Sequence, residues 1–123
     1  MLSPRLVTKN FTVRKLLSTA LIPDPGWPDW FKLAGVTGAK LSFVPTRFPD
    51  YEMEAQAAVR GVGAALLSPV LFADLLSQRA LVAPFRWSLD SGSAYWLLWT
   101  RESAQCHFVR WMKSQFDLPL DST

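Results

Sequence analysis

Short apolar runs, each closed by proline, constrain this chain more than any other feature of its sequence. Ala20-Leu21-Ile22 stops at Pro23, Leu41-Ser42-Phe43-Val44 at Pro45, Ala64-Ala65-Leu66-Leu67 at Ser68-Pro69, and Leu81-Val82-Ala83 at Pro84. Proline lacks the backbone N–H that a sheet ladder needs, so none of these runs continues past its proline as a central strand. Runs this short and this apolar, bounded by turn signals, suit strands buried on both faces, as in a parallel sheet. Such a sheet needs helices between its strands, and the order strand, helix, strand, helix, strand fits βαβ units with right-handed crossovers. The expected class is α/β.

The intervening segments carry helical patterns. Residues 12–18 place Val13, Leu16 and Leu17 on one side. From Asp24 the chain turns, sets Pro28 near a first helical position and Gly35 just past a helix end, with Trp27, Trp30, Phe31 and Ala34 on one face. That aromatic face reads as core packing rather than a stacking platform for a ligand. A third helix begins near Tyr51 with Asp50 as its cap; Tyr51, Ala55, Ala58 and Val62 form one stripe, Glu52, Glu54 and Arg60 point elsewhere, and Gly61 and Gly63 break it. Ser68 and Pro69 supply an N-cap and an N1 proline for a fourth helix, on which Leu71, Phe72, Leu75 and Leu76 face inward. After the loop at Asp90-Ser91-Gly92-Ser93, the aromatic run Ala94-Tyr95-Trp96-Leu97-Leu98-Trp99-Thr100 reads as the clearest strand of the chain. A final helix is expected from about Ser103 to Phe116, with Phe108, Val109, Met112 and Phe116 on one side, Arg110 and Lys113 more exposed, and Pro119 beyond its end.

With 123 residues the chain has length for one core. A net charge of +3 arises from charges scattered along the chain, which draw no basic stripe for nucleic acid. No apolar stretch approaches the roughly 20 residues that cross a bilayer. Residues 1–22 hold Arg5, Lys9, Arg14 and Lys15 and no acid, but Pro4 and Pro23 interrupt the segment, which reads as surface charge rather than an organellar presequence. The expected location is cytoplasmic.

One cysteine, Cys106, and one histidine, His107, exclude an internal disulfide, multi-cysteine zinc and every two-histidine ligand set. Neighbours on a helix point about 100° apart, so Cys106 and His107 do not face each other as a dyad; a buried thiol and a surface imidazole account for them. Gly61-Val62-Gly63 is too short for a dinucleotide fingerprint, and no lysine follows a glycine loop as in a phosphate-binding loop. The chain is read as a non-enzyme with no cofactor and no metal. The segment from Thr46 to Tyr51 leaves a strand and enters a helix N-terminus, where amides and hydroxyls can hold a small ligand or simply cap the helix.

Several stretches occur in a recognisable order: Ser3-Pro4-x-Leu6; Leu16-Leu17 with Leu21-Ile22; Trp27-Pro28-Asp29-Trp30-Phe31 with Ala34-Gly35; Glu54 through Leu66 with Gly61-Val62-Gly63, then Pro69; Leu81-Val82-Ala83-Pro84-Phe85; Tyr95-Trp96-Leu97; and Phe108-Val109-Arg110-Trp111-Met112. In that order they resemble the effector-binding domain of LysR-type transcriptional regulators, with motifs most like those of glycine-cleavage-system and β-lactamase regulators. The resemblance implies part of a periplasmic-binding-protein type II-like fold: the second subdomain over about residues 1–90, and over about 91–123 the strand and helix that return to the first. It implies small-molecule sensing that controls transcription, with effector contacts at Phe48, Pro49, Asp50, Tyr51 and Tyr95. Where the β-lactamase regulators carry serines this chain has Asp50 and Tyr51, and an acid there disfavours an anionic ligand. A winged helix-turn-helix has no counterpart in these residues, so DNA would be met only through a missing N-terminal domain. Expected partners are a small-molecule effector and a second copy or a homologous regulator subunit; the alternative is a standalone interaction module or a regulator remnant that pairs with such a subunit.

Overall fold

In the computed structural model, which describes residues 1–116, the run at 20–22 lies between two parallel partners. Leu21 bridges Phe43 on one side and Ala64 on the other. The Leu21 amide donates to the Ser42 carbonyl at 2.9 Å and the Ile22 amide to the Ala64 carbonyl at 2.8 Å, while the Ala64 amide returns to the Ala20 carbonyl at 2.9 Å. Beyond Ala65, whose amide donates to the Met1 carbonyl at 2.8 Å, Leu2 exchanges two bonds with Val82 in antiparallel sense. Three of the expected strands thus pair in parallel, with 64–65 on the inside, but through isolated bridges rather than ladders, and the run at 81–83 pairs antiparallel with Leu2 instead of joining the expected parallel order. Each run has only a few residues before its proline removes a donor, too few to extend the pairing.

Alternation along these runs divides the core. Successive side chains of an extended chain point to opposite faces, and Leu2, Leu21 and Ala64 pack with Leu16, Trp27, Trp30 and Phe31, whereas Ile22, Ala65 and Leu81 pack with Ala57 and Ala58. Helices α1 (Val13–Leu17) and α2 (Trp27–Leu33) supply the first cluster, and α3 (Tyr51–Val59) and α4 (Ala73–Ser77) the second. The aromatic face of α2 is core, as expected: Trp27 donates from Nε1 to the Ile22 carbonyl at 2.8 Å, Trp30 to the Trp87 carbonyl at 3.1 Å, and Trp30 meets Phe31 edge-on at 5.2 Å. Each such side chain contributes roughly 1.5–3 kcal/mol by leaving water.

The helix ends follow local chemistry. Thr12 caps α1 and Asp50 caps α3 through side-chain oxygens. Both α2 and α3 close through a left-handed glycine, Gly35 at φ +83° and Gly61 at φ +81°. In α3 the Gly61 amide donates to Ala58 and the Val62 amide to Ala57, each at 3.0 Å, which satisfies carbonyls the helix leaves open. Ser68 accepts the Leu71 amide as a cap would, yet the chain turns before α4 begins at Ala73, and Leu71 is exposed instead of facing inward. The α3 stripe is also narrower than expected, since Tyr51 and Val62 at its ends are exposed.

The chain divides into two compact units, Met1–Ser91 and Gly92–Thr123. In the second, α5 (His107–Gln115) starts later than expected, at Cys106, whose Sγ accepts the Val109 amide at 3.5 Å. Cys106 is exposed rather than buried, because capping holds it outside the helix. Residues 94–100 form no strand: Trp96 and Leu98 are exposed and Leu97 and Trp99 half-buried, the alternation of an extended chain without a ladder. Aromatic composition favours a strand only where a neighbouring edge completes its hydrogen bonds, and among the described residues none does. Lys113, expected at the surface, is buried with its ammonium 4.1 Å from the Trp99 ring centroid. Its aliphatic stem covers apolar surface while the charge meets a ring face. Phe108 and Phe116 are exposed, and only Val109 of the expected apolar side is fully buried. Pro119 lies outside the described residues.

Candidate functional site

Because Leu21 pairs in parallel with both Phe43 and Ala64, the chain leaves the runs at 20–22, 42–44 and 64–65 at the same edge of the sheet. Ligands of open α/β sheets bind outside this carboxyl edge. Two connections there carry polar side chains: residues 23–26 before α2 and residues 45–50 before α3.

In the second connection Phe48 packs against the Ile22–Ala58 side of the core and anchors the backbone there. Pro49 follows, exposed, and Asp50 adopts an extended conformation at φ −152°. Its Oδ1 accepts the Met53 amide at 2.8 Å and its carbonyl accepts the Glu54 amide at 3.2 Å. Tyr51, half-exposed, opens the helix. Four of the expected effector contacts are thus the consecutive residues that enter α3, with Phe48 half-buried on the core and Pro49, Asp50 and Tyr51 exposed. Tyr95 belongs to the second unit, 78% exposed in the extended stretch.

Sequence reasoning missed Glu54, which it turned away from the core. Glu54 is 9% exposed, and its Oε2 has no hydrogen-bond partner. Burial raises its carboxyl pKa above the ordinary value, and the Asp24 and Asp50 carboxylates push it the same way. Asp24 stands in the first connection, held by its Oδ1 accepting the Gly26 amide at 2.7 Å. No pattern along the chain signalled it, since acids after an Asp cap are ordinary at a helix N-terminus.

Nothing else in the described residues offers chemistry. His107 and Cys106 are both exposed, and no three His, Cys, Asp or Glu side chains among the described residues converge to hold a metal ion. A depression of about 320 Å³ lies beside α2, lined by Pro28, Asp29, Lys32, Val36 and Leu41 among others, and includes none of the expected effector contacts. Among the described residues no helix is long and apolar enough to cross a membrane.

No family model matches the chain, and no solved structure matches it. Over 96 residues it is 32% identical to the HTH-type transcriptional activator AmpR of Rhodobacter capsulatus, a stretch that covers 72% of this chain and 31% of that protein. The chain thus spans about a third of the length of this relative, a transcriptional activator. The similarity supports a relationship between this chain and the LysR-type transcriptional regulators.

Proposed function

We propose that this chain forms the effector-sensing part of a LysR-type transcription regulator of the cytoplasm, with operator reading left to a segment outside these 123 residues. Met1–Ser91 would be the second subdomain of a periplasmic-binding-protein type II-like domain, and the residues from Gly92 on its return strand and helix. The similarity to AmpR is the observation that carries this reading. Parallel bridges, helices packed on both faces and a polar helix start at the carboxyl edge support it. The effector would sit against Phe48, Pro49, Asp50 and Tyr51; Tyr95 is an effector contact on the resemblance alone. Such a ligand acts by binding one arrangement of the regulator better than another, and only that difference shifts the population.

The test is a thermal-shift screen of the purified chain against small metabolites of positive, neutral and negative charge. A binder at 100 times its Kd stabilises by about 2.7 kcal/mol, and Tyr51→Ala should abolish the shift. A panel that leaves the melting temperature unchanged in every charge class would overturn the reading.

A second reading, a module or remnant that pairs with a homologous regulator subunit, is favoured by the exposure of Tyr95, Trp96, Leu98, Phe108 and Trp111 in the second unit. Light scattering on the eluting chain separates the two: a dimer that Trp96→Glu converts to monomer supports pairing, and a monomer at high concentration opposes it.

A further inference from the structure

We propose that Asp24, Asp50 and Glu54 together seat a cationic group, an ammonium or a guanidinium, of the small molecule; this rests on the effector reading of the α3 start. Three observations converge on it. Glu54 is almost fully buried with Oε2 unpartnered, a costly condition that proteins keep where something else completes it. Asp50 caps the same helix four residues before it, and Asp24, in the connection that leaves the central run, stands near enough for its carboxylate to act on Glu54. Burial, Asp24 and Asp50 all oppose charge on Glu54, and a bound cation relieves the two electrostatic causes at once.

The geometry also selects the kind of cation. Asp24 and Asp50 each spend Oδ1 on a backbone amide, Gly26 and Met53, which fixes their carboxylates in place. The acids do not converge closely enough to enclose a metal ion. An ammonium with three donors or a guanidinium with five can instead reach carboxylates that stand further apart. A helix start ordinarily attracts anions. Here Asp50 caps α3 and Glu52 and Glu54 occupy its first turn, so negative charge already stands where an anion would otherwise be drawn.

The experiment is a titration of the purified chain with agmatine and putrescine, followed by amide NMR, with glutamate, a neutral diol and sodium chloride at matched ionic strength as controls. Saturable shifts are expected at Asp24, Gly26 and residues 50–54 with the amines only. Glu54→Gln should raise the apparent Kd at least 10-fold; Asp24→Asn, which keeps the oxygen that holds Gly26, should raise it less. Equal shifts with sodium chloride, or amine binding unchanged in both variants, would overturn the proposal. A neutral or anionic compound that binds at residues 48–51 regardless of Glu54→Gln would overturn the cation seat and leave the effector reading standing. Failure of every compound at residues 48–51 would remove both.

Discussion

Glu54 shows how a single side chain can set the pH response of a small fold. Its folded-state pKa is raised, so the folded chain prefers the protonated carboxyl and ionisation opposes folding. Whatever stability this group lends is fully present below the ordinary carboxyl range, near pH 4, and is lost as pH rises towards the raised value. Glu54→Gln keeps the shape and removes the charge. The variant should therefore melt at a higher temperature than the parent at pH 7, by an amount that corresponds to about 1 kcal/mol, and the two should converge near pH 4. A variant less stable at neutral pH would mean that Glu54 is ionised and satisfied. Lys113 makes the complementary point, since a residue type that patterning assigns to the surface is buried against Trp99. Amphipathic periodicity assumes that charge seeks water; Lys113 departs from it because a ring face meets its charge, and Glu54 because burial and neighbouring acids favour its neutral form.

At the scale of elements, capping and stop signals were legible and continuous strands were not. Asp50, Gly35 and Gly61 do locally what their chemistry prescribes, because a cap or stop depends on a few consecutive residues. Pairing depends on a partner distant in sequence. Gly63 illustrates the difference: a Cβ there would lie 2.6 Å from the Ala20 carbonyl oxygen, within the paired backbone itself. Read from sequence, Gly63 was a helix breaker; in the fold it lets the runs at 20–22 and 64–65 approach. Gly63→Ala should destabilise the first unit by about 2 kcal/mol or more, because backbone rather than a flexible side chain must move. Gly61→Ala should cost about 1 kcal/mol, the penalty of a left-handed alanine. Denaturant melts of both variants test the order; equal losses would show that the close approach at Gly63 is relieved by a backbone shift.

At the scale of the whole molecule, the division after Ser91 has a direct consequence for protease access. Tyr95, Trp96 and Leu98 are the most exposed large apolar side chains and lie on backbone without a ladder. Chymotrypsin should cut there first and release a fragment close to Met1–Ser91 that retains its helical circular dichroism, because both core clusters lie within that unit. Primary cleavage inside α2 or α3 would contradict the division. The same exposure explains why the aromatic run misled as a strand: composition states what a sheet would welcome, and only a neighbouring edge makes the sheet.

By itself the sequence determined the positions of the short apolar runs, the presence of the helices, the Asp50 cap with the Gly35 and Gly61 stops, and the aromatic core of α2. These rest on proline, glycine, cap chemistry and periodicity, which act over a few residues. Tertiary structure alone decided that Leu21 pairs on both sides, that Gly63 must be small, and that Asp24 comes near enough to Asp50 and Glu54 to burden a buried carboxyl. Asp24 and Glu54 are 30 positions apart along the chain. Electrostatics acts through space, so no pattern along the chain could have brought them together.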